Sequence, residues 1–253
     1  MEHIPPIFHQ RGLSDETVRR FAPFISFIRD KRNGNFDGYN IGFPYTDMDG
    51  QVKGYEIRGY GGYKSKAAGT DSSSAWVADL SGGNPEAVKS VFFCESAFDA
   101  MAFHQMNKGQ LHPDVALVSL GGTFSDNQIV GVMDRFPNAK AFDCFDNDIA
   151  GRIYGLRMIG LLDGIPMKIS KAEGDLQVEA GGKSFTVNPI KALSSQLAAH
   201  LPIRYCTGQW LPPKAFKDWN DCLLNKPMAL VLAPCKEERD RNLAERRKGN
   251  FKM

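Results

Sequence analysis

The segment SVFFCESAFDAMAFHQM (90–106) opens the stretch that decides the fold of this chain. It is a short apolar run, 90–94, followed by residues with helical spacing. The same order returns in VALVSLGGTFSDNQIVGVMDRF (115–136) and AKAFDCFDNDIAGRIYGLRMIGLL (139–162). Strands that alternate with helices of this length indicate parallel strands joined by right-handed crossovers. The sequence therefore predicts an α/β fold, with a parallel sheet and flanking helices.

Upstream of this stretch, the pattern predicts a smaller mixed α+β subdomain over residues 1–86. The expected elements are a helix at 12–23 capped by Ser14, strands at 39–45 and 52–60, and a Gly/Ser-rich surface loop at 61–75. The Ser-Gly-Gly-Asn-Pro segment at 81–85 interrupts the periodic pattern. We therefore place the first domain boundary directly after it.

Downstream, residues 87–230 are predicted to form the main domain, with a β insertion near 166–188. Short strand-like runs separated by glycines indicate that the insertion is antiparallel. A helix at 190–200 and a strand at 201–206 are expected to follow. Residues 231–253 form a basic tail, in which 236–253 hold seven Lys/Arg against four Asp/Glu. That tail is either a solvated, partly frayed helix or a contact for nucleic acid or a partner.

Composition excludes several classes of protein. The 253 residues are 42% apolar and 24% charged with a net charge of +2, as in ordinary globular proteins. The apolar run at 228–234 is far shorter than the roughly 20 residues that span a membrane, and the first residues carry no apolar signal core. The five cysteines form no Cys-x-x-Cys pair, which favours reduced thiols in a cytoplasmic protein over a zinc ribbon.

Three acidic residues follow the predicted parallel strands directly. Glu95 comes after the first strand, and Asp146 and Asp148 come after the third. Any one of them alone is more often a solvated acid at a strand end. Together they meet at the sheet edge where such folds bind ligands, and they repel one another there unless a cation lies between them. Oxygen ligands without nearby Cys or His indicate Mg²⁺ or Mn²⁺.

These motifs resemble the Toprim domain of bacterial primases, topoisomerases and related nucleases, whose fold is Rossmann-like. The match is closest to the primase branch, where the first strand ends in Glu with an Asp four residues later. The third strand there ends in Asp-x-Asp-x-Ala-Gly-Arg. Those places are taken here by Glu95 and Asp99, by the Gly122-Thr123 turn, and by the 146–152 motif that ends in Arg152.

The resemblance extends to IGFPYTDMDGQVKGYEIRGY (41–60), which looks like the amino-terminal part of the primase catalytic core, and to KDWND (217–221). It covers roughly residues 10–224. It implies a DNA primase-like nucleotidyltransferase that uses Mg²⁺ or Mn²⁺, nucleoside triphosphates and a single-stranded DNA template. Primer synthesis in DNA replication, a plasmid or mobile-element origin, and a replicative helicase as partner follow from the same resemblance.

Roles for individual residues follow from the resemblance as well. Glu95, Asp146 and Asp148 would be catalytic and metal-binding, with Asp99 as a further metal ligand. The alternative for Glu95 is a role as general acid or base, as in the topoisomerase branch. Asp99 is otherwise an acid stabilised by the positive end of its helix. Asp218 would be an additional acid of the same site. Arg152 and Lys217 would contact nucleotide or nucleic acid.

A basic cluster precedes the acidic motifs. Arg58, Lys64 and Lys66 are expected to contact phosphates of the template or the incoming nucleotide. Tyr60, Tyr63 and Trp76 lie among these charges, as in sites where bases stack on aromatic rings. The alternatives are an ordinary solvated loop for the charges and hairpin packing for the rings.

Two other functions stay open at this point. A Toprim nuclease would use the same acids to hydrolyse nucleic acid, although such nucleases normally carry an ATPase domain and no G-x-x-x-x-G-K-[ST] motif occurs here. A non-catalytic nucleic-acid-binding module would retain the fold without the chemistry, although the acid set is intact.

Overall fold

The computed structural model describes residues 3–29, 38–204 and 208–228. Its helices in chain order are α1 (Pro6–Gln10), α2 (Asp15–Phe21), α3 (Ala97–Asn107), α4 (Asp126–Arg135), α5 (Ile149–Leu162), α6 (Leu193–Ala198) and α7 (Trp219–Leu223). Its strands are β1 (Ser26–Ile28), β2 (Asn40–Thr46), β3 (Val52–Arg58), β4 (Lys64–Lys66), β5 (Ala75–Asp79), β6 (Ser90–Cys94), β7 (Val115–Ser119), β8 (Lys140–Asp143), β9 (Met167–Ala172), β10 (Asp175–Ala180), β11 (Lys183–Val187) and β12 (Gly208–Gln209).

Within the described residues, nine of these strands form one mixed sheet in the order β12-β8-β6-β7-β5-β2-β3-β4, with β1 paired to β2. The neighbours β12, β8, β6 and β7 are parallel, whereas β5 is antiparallel to β7. The three strands expected to be parallel are therefore adjacent and share one direction. The predicted α/β class with a parallel sheet is confirmed.

Both faces of the central strands are covered, which explains their unbroken apolar sequences. Along β6, Phe92 and Cys94 pack in one layer with α1, α2 and α3, while Val91 and Phe93 pack in the other with α4 and α5. Successive side chains of a strand point to opposite faces, so one short run supplies both layers. This double burial fixes the register of β6 and hence the position of Glu95 directly after it.

The insertion forms a second sheet, in the order β11-β10-β9, with both pairings antiparallel as expected. Its apolar face packs against α5 and α6, where Leu156 and Ile159 meet Leu176, Val178 and Val187.

The proposed boundary near residue 86 does not interrupt the main sheet. β5 lies before that boundary and β7 after it, yet Trp76 to Asp79 pair with Ser119 to Ala116. Residues on both sides also share one buried layer. The division into 1–86 and 87–230 stays a prediction, and the described sheet runs through it.

Three expectations about local structure were wrong. The surface loop at 61–75 contains β4, whose backbone pairs with β3. The strand expected at 201–206 is absent from residues 201–204, and the edge strand lies instead at β12. The helix expected at 190–200 is the shorter α6. The basic tail at 231–253 lies outside the described residues. In the part of the chain that the structure describes, no helix has both the length and the apolar character needed to cross a bilayer.

Candidate active site at the carboxyl ends of β6 and β8

The acidic residues meet at one edge of the sheet because β6 and β8 are parallel neighbours. Glu95 follows β6 directly, and Asp146 lies three residues beyond the end of β8. Both line a cleft of about 570 Å³, together with Asp99 and Asp218. The sequence prediction of an acidic cluster at this edge therefore agrees with where the backbone places these residues.

Glu95 has an oxygen with no hydrogen-bond partner. Its Oε1 is buried, and no donor reaches it among the described residues. Burial and then the negative charge of Asp148 raise the pKa of Glu95 to about 7. A buried carboxylate oxygen without a donor is costly unless a proton or a cation satisfies it.

Asp146 lies beside the side chain of Lys217. The Lys217 Nζ is 3.1 Å from Asp146 Oδ2 and 3.7 Å from Asp148 Oδ2. Burial and then the charge of Glu95 raise the pKa of Asp146 to about 7. For Lys217, burial lowers the pKa, but the hydrogen bond and charge of Asp146 outweigh it, so the pKa is raised overall. Lys217 is thus a cation held within the acidic cluster.

Asp148 has a structural role in the backbone as well. It is the N-cap of α5, and its Oδ1 accepts a hydrogen bond of 3.0 Å from the Gly151 N–H. Gly151 is required at that point, since a Cβ there would collide with the backbone of Asp146. The Asp-x-Asp-x-Ala-Gly motif therefore also contains the N-cap and first turn of α5.

Asp99 is buried in the first turn of α3. One oxygen accepts from the Asn220 N–H at 3.1 Å, and the other is hydrogen-bonded to the hydroxyl of Ser96, the N-cap of that helix. Burial and then the charge of Asp218 raise the pKa of Asp99 to about 8. Both of its oxygens already have donors, so Asp99 is less available to a cation than Glu95.

The basic residues predicted from the sequence face the same cleft. Arg58 and Lys64 pair across β3 and β4, and Lys66 lies two pairs further along, opposite Glu56. The Lys66 Nζ donates to the Leu120 carbonyl at 3.2 Å. Gly121 lets this happen, because a Cβ there would overlap the Tyr45 hydroxyl and lie 2.7 Å from Lys66 Cε. The cleft therefore has a basic side and an acidic side.

No three of the described Asp, Glu, His and Cys side chains converge closely enough to hold a metal ion as they stand. The acids lie in one cleft, but the group in contact with Asp146 Oδ2 is the Lys217 ammonium and not another carboxylate. The residues assigned to metal from the sequence thus share an edge without forming a closed set of ligands.

Residues 92–177 match a family model described as Toprim-like. This chain contains a Toprim-like domain. The match covers both acidic motifs, from β6 through the start of α5 and into the antiparallel insertion. The comparison with curated proteins gave no match.

Solved structures with a similar fold include three primase fragments. The primase fragment of the bacteriophage T7 primase-helicase protein is 15% identical, with a TM-score of 0.49 over 86% of this chain and 68% of that one. A DNA primase domain from Pseudomonas aeruginosa is 18% identical, with a TM-score of 0.40 over 61% and 57%. The RNA polymerase domain of Mycobacterium tuberculosis primase DnaG is 17% identical, with a TM-score of 0.41 over 61% and 62%. None of these three matches assigns an activity to this chain.

Neither Arg152, expected to contact nucleotide or nucleic acid, nor Trp76, a candidate for either base stacking or hairpin packing, lies in the cleft. Arg152 is 5% exposed, and its guanidinium donates to Asn147 Oδ1 at 2.6 Å, so it braces the acidic loop. Trp76 is fully buried, and its indole N–H donates to the Phe24 carbonyl at 2.7 Å. Neither side chain lines the cleft, because each occupies a helix or strand position that faces the core.

The sequence analysis missed two residues that line the cleft, Glu56 and Arg11. Glu56 is buried and accepts from Arg58 at 2.8 Å and from the Ser119 hydroxyl at 2.6 Å. Arg11 donates to Asn220 Oδ1 at 3.2 Å across the cleft from a distant part of the chain. The only sequence signal was the pairing of Glu56 with Arg58 two residues along one strand, which places both on one face.

Proposed function

We propose that this chain is a metal-dependent, primase-like nucleotidyltransferase that extends a primer on a single-stranded DNA template. One observation carries the proposal. A single cleft joins the carboxylates at the ends of β6 and β8 to a basic wall formed by β3 and β4. Phosphoryl transfer needs this pairing, since one side binds phosphates and the other holds the cation that offsets their charge.

The residue types at this edge fit a divalent cation, and a bound ion would have to draw the carboxylates of the described cleft closer together than they now stand. All the donors are carboxylate oxygens, which suit Mg²⁺ or Mn²⁺, and Glu95 Oε1 is buried without a partner. Burial, and then the charge of a neighbouring carboxylate, raise the pKa values of Glu95 and Asp146, so a divalent ion at this edge would offset negative charge that the site disfavours. We assign the ion to Glu95 and Asp146, with Asp148 and Asp99 as further acids around it. When bound, it would neutralise charge on the transferred phosphate.

The chain's own side chains supply binding and orientation. Arg58, Lys64 and Lys66 would hold phosphate oxygens of the template or nucleotide along one wall of the cleft. Glu56 keeps the Arg58 guanidinium in place through contacts at 2.8 and 2.9 Å. Glu95 Oε1, which lacks a donor, is the atom that could accept the proton of an attacking hydroxyl when it does not hold the ion.

The deciding experiment incubates the chain with Mn²⁺ or Mg²⁺, labelled nucleoside triphosphates and single-stranded DNA. Extended product supports the proposal. Shortened template indicates a nuclease, and an unchanged template that is nonetheless bound indicates a non-catalytic module. Asp146→Asn should abolish product, whereas Asp134→Asn, an exposed carboxylate of α4, should leave it unchanged.

A replicative helicase as partner, a mobile-element origin and a cytoplasmic location stay predictions from the sequence. The helicase prediction is tested by measuring whether the purified chain binds a hexameric helicase in the presence of single-stranded DNA.

A further inference from the structure

We propose that Lys217 is the permanent cation of the Asp146–Asp148 pair, so that the acidic edge takes one divalent ion beside Glu95 and not two. This inference rests on the proposed function, which supplies the divalent ion. It also changes the role of Asp148, which becomes a partner of the lysine and no longer a metal ligand.

The first support is the position of the ammonium group. Lys217 Nζ is 3.1 Å from Asp146 Oδ2 and 3.7 Å from Asp148 Oδ2, so one positive charge lies against both carboxylates of the Asp-x-Asp motif. A second divalent ion between those oxygens would stand within contact distance of this ammonium, where like charges repel strongly.

The second support is the way the backbone of Lys217 is anchored. The Asn147 N–H donates to the Lys217 carbonyl at 2.6 Å, from the residue between the two aspartates. The Asn147 side-chain amide also reaches the carbonyls of Pro212 and Phe216, at 3.4 and 3.3 Å. The backbone of Lys217 is therefore anchored to the loop that carries both aspartates, and its side chain, which is 47% exposed, reaches them from that fixed point.

The third support is the location of the unsatisfied oxygen. Glu95 Oε1 is buried without a partner among the described residues, and Glu95 lines the same cleft as Asp146. The carboxylate oxygen that lacks a positive partner thus belongs to Glu95, whereas Asp146 and Asp148 already have the Lys217 ammonium beside them. One ion beside Glu95 supplies that partner.

The test counts bound ions. Mn²⁺ is titrated into the full-length wild-type chain, and free Mn²⁺ is followed by electron paramagnetic resonance. We expect about one ion per chain for the wild type, and about two for Lys217→Gln, because the aspartates then lack a cation. Lys214→Gln is the matched control, since Lys214 is an exposed lysine of the same segment, and it should bind as the wild type does.

A second measurement needs no variant. Acetic anhydride acylates accessible lysines, and mass spectrometry gives the rate at Lys217 and at Lys214 with and without Mn²⁺. A fixed Lys217 reacts more slowly than Lys214, and its rate does not rise when Mn²⁺ is added. Faster acylation of Lys217 with Mn²⁺ would mean that the ion displaces the lysine, and would overturn the proposal.

The remaining outcomes separate this inference from the proposed function. Two ions in the wild type, or an unchanged count in a folded Lys217→Gln chain, refute the lysine's role while leaving a metal-dependent enzyme intact. No Mn²⁺ binding by any variant, together with no extended product, refutes the proposed function and this inference with it.

Discussion

Glu95, Asp99 and Asp146 share one physical property, a carboxyl group whose charge is disfavoured by burial and by its neighbours. Their pKa values are about 7, 8 and 7, against ordinary values near 4. A group whose pKa is raised on folding stabilises the chain below its unfolded pKa, and that stability is lost as pH rises through the folded pKa. Without a divalent ion, this cluster should therefore weaken the fold between about pH 4 and pH 8.

Glu95→Gln tests that expectation. In chelator, we expect the wild type to lose stability between pH 5 and pH 8, and Glu95→Gln to remove roughly 1–3 kcal/mol of that loss, because the neutral amide has no charge to bury. Urea unfolding at the two pH values measures it. An identical pH dependence in the variant would show that Glu95 is not the strained acid. Mn²⁺ should restore stability at pH 8 in the wild type but less so in the variant.

Gly121 is a second single residue on which the cleft depends. Its φ is +70°, and an added Cβ would overlap the Tyr45 hydroxyl beside Lys66. We expect Gly121→Ala to cost about 2–4 kcal/mol of stability and to weaken nucleotide binding, since it displaces the basic wall. Gly122→Ala has a similar φ of +92° but open space around it, so it should cost only about 1 kcal/mol. Equal losses in thermal unfolding would contradict the steric explanation.

At the scale of elements, the site depends on the joining of the loop after β8 to the segment before α7. Asn147 makes that connection with both its backbone and its side chain, and Arg152 donates to it. The hydrogen bonds from Asn147 to this segment join residues some seventy positions apart, so no local sequence pattern predicts them. Together with the bond from the Asn220 N–H to Asp99, they hold KDWND at the acidic edge.

Asn147→Ala should loosen this connection. We expect a loss of about 1–3 kcal/mol, because a partly buried network loses its shared member and leaves Arg152 without its acceptor. Amide hydrogen exchange should rise in 212–218 before it rises in β6. Asn138→Ala removes an exposed side-chain bond to the Glu86 carbonyl and should change neither measurement by much. Uniform exchange increases across the sheet would point to global unfolding instead.

The elements that the sequence predicted well are those with their own periodicity. β6, β7 and β8 alternate with apolar helices that each begin at an N-cap residue, so their order and direction follow from the chain itself. β4 escaped prediction because Gly and Ser surround it, and it becomes a strand only through pairing with β3. The contact of Glu56 with Ser119 escaped for the same reason, since β3 and β7 are not sequence neighbours.

For the whole molecule, the distribution of charge matters more than its sum. A net charge of +2 gives little attraction for a polyanion, so affinity for single-stranded DNA must come from local clusters. The cleft wall of β3 and β4, which lines the same cleft as the acids, carries such a cluster. The tail at 231–253, which lies outside the described residues, is the competing source of positive charge.

The salt dependence of DNA binding separates the two sources. Each phosphate neutralised on a single strand adds about 0.7 to the slope of log affinity against log salt, so replacing Arg58, Lys64 and Lys66 together by Gln should flatten the slope by about two units. Replacing Arg239, Arg241 and Arg246 by Gln removes the same charge from the tail and is the matched control. Fluorescence anisotropy with a labelled oligonucleotide at several salt concentrations gives both slopes. If the template binds in the cleft, the salt slope falls more in the Arg58, Lys64 and Lys66 variant than in the tail variant. If the slope falls more in the tail variant, DNA binds to the tail and the cleft binds only the nucleotide.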